Sequence, residues 1–149
     1  MPLPILIAAH DPELRELLAY AFVRSGWTTE SAGSGGEALA RICGSRPAGV
    51  VLDLDLPDIH GVGVMEVIRH LWPEEPVPVI VLCSAESEVH RGEVLRMGAD
   101  AVVSRPFIVE EIVEALGRLV GKAPGVAGTK PARARRPRRP RGRKRLIEA

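Results

Sequence analysis

The stretch VVLDLDLPDIHG, residues 50–61, decides the fold. It opens with three consecutive aliphatic residues, which is typical of a strand buried on both faces of a parallel sheet. Asp53 follows this run directly, and a loop containing Pro57 and ending at Gly61 comes next. Because ligands of open α/β sheets gather beyond the carboxyl ends of the strands, this sequence places Asp53 where chemistry would occur.

On both sides of this stretch, short apolar runs alternate with amphipathic segments of helical period. Such alternation predicts βαβ units on a parallel sheet. Five strands and five helices alternate strictly, and crossover connections are right-handed, which favours an α/β fold with a doubly wound, five-stranded parallel sheet. The predicted strands are Ile5–Ala8, Trp27–Ala32, Val50–Leu52, Val77–Leu82 and Ala101–Val103.

The first helix carries clear boundary signals. Asp11 followed by Pro12 predicts an N-cap and a first helical residue, and Gly26 predicts the end of the helix. Apolar residues then recur at helical spacing, so we expect them to share one buried face. These residues are Leu14, Leu17, Leu18, Ala21 and Phe22.

Charge divides the chain into two parts. Residues 1–122 carry 10 Lys and Arg against 18 Asp and Glu, a net −8, whereas residues 123–149 carry 10 against 1, a net +9. We therefore predict a folded domain over 1–122 and a disordered, basic Pro/Arg-rich tail over 123–149. Such a tail attracts polyanions through counterion release, and nucleic acid, an anionic membrane surface and the acidic domain itself are the open candidates.

Several function classes are disfavoured. The two cysteines have no metal-ligand spacing, and no apolar run approaches the roughly 20 residues of a membrane span. The N-terminus has no signal-peptide pattern. Paired acids, a Ser-His-Asp set and a Gly-rich phosphate loop are missing from the predicted carboxyl edge. These features predict a cytoplasmic protein that is not an enzyme.

The sequence resembles the receiver domain of two-component response regulators over about residues 3–120. The resemblance implies a (βα)5 flavodoxin-like receiver fold and a single-domain phosphorelay module. Its implied partners are a histidine kinase or phosphotransfer protein and a downstream protein, bound through the fourth and fifth helices and the fifth strand. The matching segments are Ile5-Leu6-Ile7, Asp11-Pro12-Glu13-Leu14-Arg15, Val51 to Asp58 with Gly61, Pro78 to Leu82, and Gly98-Ala99-Asp100 running to Arg105-Pro106-Phe107.

The resemblance also implies roles for individual positions. Asp53 falls on the phosphoacceptor, and the main-chain carbonyl of Asp55 falls on a ligand of Mg²⁺, which Asp53 would also bind. Five positions depart from the family's pattern. Ala9 and His10 replace an acidic pair, Cys83 replaces the hydroxyl residue that senses the phosphoryl group, Arg105 replaces a lysine, and Val102 replaces an aromatic switch residue.

These departures weaken the implied metal site. Mg²⁺ prefers hard oxygen ligands, so a methyl group and an imidazole in place of two carboxylates predict weak Mg²⁺ binding. Arg105 keeps the positive charge that a phosphoryl group would meet. Two functions stay open: a receiver phosphorylated on Asp53, and a phosphorylation-independent pseudo-receiver scaffold whose basic tail tethers nucleic acid or another polyanion.

Overall fold

The computed structural model describes residues 3–84, 91–121 and 147–148. Strands and helices alternate in these ranges as the sequence predicts. The sequence pattern predicts the fourth helix over Glu86–Met97; the structure describes it from Arg91 onward, because residues 85–90 lie outside the described part. The elements are β1 Ile5–Ala8, α1 Pro12–Arg24, β2 Thr29–Ala32, α2 Gly35–Gly44, β3 Gly49–Asp53, α3 Gly61–Leu71, β4 Val79–Cys83, α4 Arg91–Arg96, β5 Ala101–Ser104, α5 Val109–Val120 and β6 Ile147–Glu148.

The sheet has the order β2-β1-β3-β4-β5-β6. Its first five strands are all parallel, which confirms the predicted doubly wound sheet. The short strand β6 pairs antiparallel with β5 and was not predicted. It falls within the predicted tail, whose other residues lie outside the described ranges. Nowhere in the described ranges is a helix both long and apolar enough for a bilayer span.

Both faces of the sheet are covered by helices. Val50 and Leu52 of β3 pack in a cluster with residues of α2, α3 and α4, whereas Val51 packs in a second cluster with residues of α1 and α5. All three side chains are fully buried. Alternate residues of the unbroken aliphatic run of β3 therefore contribute to the two apolar cores on opposite faces of the sheet.

The helix α1 begins as predicted but buries a narrower face. The side chain of Asp11 accepts a hydrogen bond from the N–H of Glu13 at 3.0 Å, which confirms the N-cap. Leu17 was predicted to be buried, and this is wrong, because its side chain is 56% exposed. The buried residues of the helix recur at i, i+4 and i+8, whereas Leu17, at i+3, faces outward. These buried residues are Leu14, Leu18 and Phe22.

The start of α3 is packed tightly against the backbone that follows β3. The N–H of Gly61 donates to the carbonyl of Leu54 at 3.0 Å. A Cβ atom on Gly61 would lie 2.6 Å from the carbonyl oxygen of Asp53 and 2.8 Å from Cα of Leu54. Glycine at this position therefore lets the helix approach the strand end that carries Asp53.

Gly61→Ala is expected to lower the free energy of unfolding by roughly 1–3 kcal/mol, because rigid backbone atoms would have to shift. Gly44→Ala is the matched control, since a Cβ there would meet nothing within 4 Å. It should leave stability unchanged or raise it by about 0.4–1 kcal/mol. Urea unfolding of both variants would measure the difference, and equal stabilities would contradict this account of the α3 start.

Candidate functional site

Asp53 ends β3 at the carboxyl edge of the sheet. Its register partner on β4 is Leu82. Its side chain is 8% exposed, and within the described ranges no other charged side chain is buried. The N–H of Asp55 donates to Oδ1 of Asp53 at 2.9 Å. The residue that the sequence singled out is thus a sheltered carboxylate at the edge where α/β proteins bind ligands.

Opposing effects act on the Asp53 carboxyl group. Burial raises its pKa above the ordinary value, because the charged form loses solvation. The N–H of Asp55 opposes this shift, the charge of Asp55 adds to it, and both Arg105 and the N–H of His10 oppose it. The net shift is upward. The carboxylate form is therefore costly, and the surrounding donors and the cation limit that cost.

Arg105 lies at the same edge, just after β5. Its N–H donates to the carbonyl of Cys83 at 3.3 Å, which joins the start of the β5–α5 loop to the end of β4. Its guanidinium carbon lies 4.7 Å from the ring centroid of Phe107, a cation–π distance. The side chain is exposed and lowers the pKa of Asp53 by its charge. Arg105 is therefore a cation at the edge that carries Asp53, near enough for its charge to act on that carboxyl group.

The other predicted positions occupy the ends of β1 and β4. Ala9 is fully buried and His10 is exposed. Cys83 ends β4, is 2% exposed and packs in the core cluster that contains Leu52 and Leu54. Its neighbour in the register is Ser104 of β5 rather than Asp53. Strand ends therefore bring these positions to one edge, although Cys83 contributes to the core.

Arg15 is a further residue of this edge, for which no role was predicted from the sequence. Its Nη1 donates to the carbonyl of Ala9 at 2.8 Å and to that of His10 at 3.2 Å. The guanidinium therefore holds the backbone at the end of β1. The sequence did contain a signal for this role, because Arg15 is a cation in the first turn of a helix that starts at the carboxyl edge.

The residues present do not fit a Mg²⁺ site of ordinary strength. Nowhere in the described ranges do three His, Cys, Asp or Glu side chains form a group that could hold a metal ion. Asp53 and the carbonyl of Asp55 supply oxygen donors, but the end of β1 supplies a methyl group and an imidazole. Mg²⁺ needs more oxygen ligands and more negative charge than this. Weak Mg²⁺ binding therefore stays a prediction for this site.

Asp58 anchors the loop that follows Asp53. Its carboxylate accepts from the N–H of Gly35 at 2.7 Å and from the N–H of Gly36 at 3.0 Å. These N–H groups belong to the first turn of α2, where a carboxylate is favoured. The N–H of Gly36 contributes most to the lowered pKa of Asp58. The sequence pattern does not predict this role for Asp58, because the contact joins residues far apart in the chain.

Comparison with known proteins identifies the family. The sequence model of the response regulator receiver domain matches residues 5–117. This range contains the five parallel strands and the edge that carries Asp53. The chain belongs to the response regulator receiver domain family.

Two relatives from mycobacteria show the extent of the match. The chain is 35% identical over 120 residues to the "Probable transcriptional regulatory protein TcrX" of Mycobacterium tuberculosis, covering 80% of this chain and 50% of that protein. It is 35% identical over 109 residues to the "DNA-binding response regulator MtrA" of Mycolicibacterium smegmatis, covering 73% and 46%. The chain therefore spans about half the length of the curated relatives it matches.

Solved structures agree with this fold. The receiver domain of Francisella response regulator 1452 superposes with a TM-score of 0.73 at 25% identity, covering 80% of this chain and 98% of that one. A CheY-like receiver domain protein from Methanospirillum hungatei gives a TM-score of 0.74 at 24% identity, covering 82% and 96%. The second likeness shows the fold alone.

Asp53→Asn is expected to stabilise the protein at pH 7. Because the pKa of Asp53 is raised on folding, its protonated form contributes stability that is lost as pH rises through the folded-state value. The amide side chain of the variant cannot ionise, so this loss of stability does not occur in it. The stability gained by the variant should fade as pH falls below the ordinary pKa of Asp, about 3.9. Thermal unfolding of both proteins from acid to neutral pH would measure it. Glu66→Gln, on the exposed side of α3, is the control, and no gain for Asp53→Asn at pH 7 would refute the assignment.

Proposed function

We propose that this domain receives a phosphoryl group on Asp53 in two-component signalling. A histidine kinase or a phosphotransfer protein is the donor, and a downstream protein binds the phosphorylated domain. The observation that carries this proposal is the burial of Asp53 beside Arg105, at the end of the central strand of a receiver-family fold.

The transfer is a substitution at phosphorus. A carboxylate oxygen of Asp53 forms the new P–O bond while the P–N bond of the donor phosphohistidine breaks. The electron pair of that bond stays on the donor's ring nitrogen, which takes a proton from solvent. Such reactions depend on positioning and on charge stabilisation more than on covalent help from the protein.

The chain supplies its own groups for this positioning. The N–H of Asp55 fixes Oδ1, and the N–H of His10 faces the same carboxylate. Arg105 offers a planar fork of donors that matches phosphoryl oxygens. We therefore assign charge stabilisation to Arg105 and orientation of the nucleophile to the two backbone N–H groups.

Receiver domains typically bind Mg²⁺ at the phosphorylation site. In this chain the described donors do not fit strong binding, so we propose that phosphorylation depends little on the metal. The cations Arg105 and Arg15 stand at the ends of β5 and β1. Their guanidinium groups are fixed by contacts with the protein and need no ligand set from acidic residues.

An exposed apolar stripe on α1 supports a protein as the phosphodonor. Leu17, Tyr20 and Val23 are 56%, 63% and 56% exposed and recur at three-residue spacing. The helix starts at Pro12, next to the carboxyl end of β1, so the stripe begins near the edge of the sheet that carries Asp53. Exposed apolar residues grouped on one face favour a protein contact.

The wild-type domain should gain the mass of one phosphoryl group when it is incubated with acetyl phosphate or with a phosphorylated histidine kinase. Asp53→Asn should gain none, because the nucleophile is gone, whereas the matched change Glu66→Gln should gain as much as wild type. Intact-mass measurement at short reaction times is the assay. If saturating donor leaves the wild type unmodified, the domain acts as a scaffold without phosphorylation.

The metal contribution can be tested on the same reaction. The wild-type rate with Mg²⁺ and with a chelator should differ by less than about threefold, since the donor set is poor. Ala9→Asp combined with His10→Asp restores two carboxylates and should raise the metal dependence to at least about tenfold. A strong Mg²⁺ dependence of the wild type would contradict the proposed role of the arginines.

A further inference from the structure

We propose that the outer edge of β5 is a strand-docking surface that this chain fills with its own residues 147–148, held there by the basic segment 130–145. This proposal does not depend on phosphorylation of Asp53. It concerns the end of the sheet opposite β2.

The carbonyl and N–H groups on the outer side of β5 provide the docking surface. In the parallel sheet β5 is the last strand, and an edge strand presents a row of backbone groups without partners. Residues 147–148 pair with it in antiparallel register, Val102 opposite Glu148 and Val103 opposite Ile147. Backbone pairing of this kind is a general mode of peptide recognition.

The two edges of the sheet differ in a way that favours β5. The strand β2 has the sequence TESA and only one buried residue, Ala32. The strand β5 has the sequence AVVS, in which Ala101, Val102 and Val103 are buried. β-branched residues favour extended pairing, whereas short polar edges discourage it. The added strand lies on the more apolar edge.

A strand of two residues forms few hydrogen bonds with β5, so its docking must depend largely on its covalent connection to the domain. The 25 residues 122–146 connect the end of α5 with β6. This covalent connection keeps the attached strand at a high effective concentration near its own domain. Docking within one molecule is therefore favoured over docking between two molecules.

Charge favours the same arrangement. The basic segment carries 10 Lys and Arg and no acid, and residues 1–122 have a net charge of −8. The helix α5, which follows β5, begins with Glu110 and Glu111 and has Glu114 one turn later; Glu110 and Glu114 are exposed. Attraction between these groups is screened by salt. A polyanion that binds the basic segment would compete with the same acidic surface, so we expect it to loosen β6.

A spin label next to β6 tests the docking in the full chain. Cys43→Ser removes the exposed native thiol, and Ala149→Cys provides a nitroxide attachment site directly after Glu148. Amide signals of β5 should broaden, whereas those of Thr29–Ala32 at the other edge should not. Broadening should be lost when Ile147 and Glu148 are both changed to Pro, because proline cannot donate to the ladder. Ala134→Pro, in the basic segment, is the matched control and should keep it.

Mixed samples identify the occupant. When unlabelled ¹⁵N protein is mixed with spin-labelled ¹⁴N protein, β5 signals should stay sharp, because docking is intramolecular. Broadening of the β5 signals in the mixture would overturn the proposal in favour of docking onto a second copy, and no broadening in either sample would overturn docking altogether. Glu110→Lys with Glu114→Lys should reduce the broadening, as should high salt. An unchanged signal in both would remove the basic segment from the mechanism.

Discussion

Burial of both faces of β3 is the constraint on which the rest of the structure depends. Val50, Val51 and Leu52 contact helices on both sides of the sheet, and each such side chain contributes about 1.5–3 kcal/mol when it leaves water. A polar group can appear on this strand only where the helices end. Asp53 stands at that point and remains 8% exposed, so the packing that stabilises the sheet also raises the pKa of its carboxyl group.

A buried carboxylate is useful only if its backbone is held in place, and two contacts hold it. Gly61 lets α3 pack against the carbonyl of Asp53, and Asp58 ties the same loop to the first turn of α2. The loop is therefore fixed at both of its helical neighbours. Orientation established before a reaction lowers the cost of reaching the reactive geometry. The same packing that closes the core thus orients the candidate nucleophile.

The sequence predicted features that depend on local pattern. The aliphatic run of β3, the cap at Asp11 and the alternation of strands and helices follow from spacing alone. The exposure of Leu17 did not follow, because apolar periodicity does not tell how wide a stripe the neighbouring elements cover. The contacts of Arg15 and Asp58 depend on tertiary proximity, and the pairing of β6 depends on the sheet edge that β5 provides. These features become visible only when the chain is folded.

The replacements at the end of β1 remove a coordination geometry. Two carboxylates are oxygen ligands for a divalent cation, whereas the methyl group of Ala9 and the imidazole of His10 are not. What the exchange removes is a centre that fixes phosphoryl oxygens by coordination, and guanidinium groups bind the same oxygens through directional hydrogen bonds instead. In the proposed reaction, stabilisation of charge at this edge depends on how firmly Arg105 is held, and the cation–π contact with Phe107 restrains its guanidinium group.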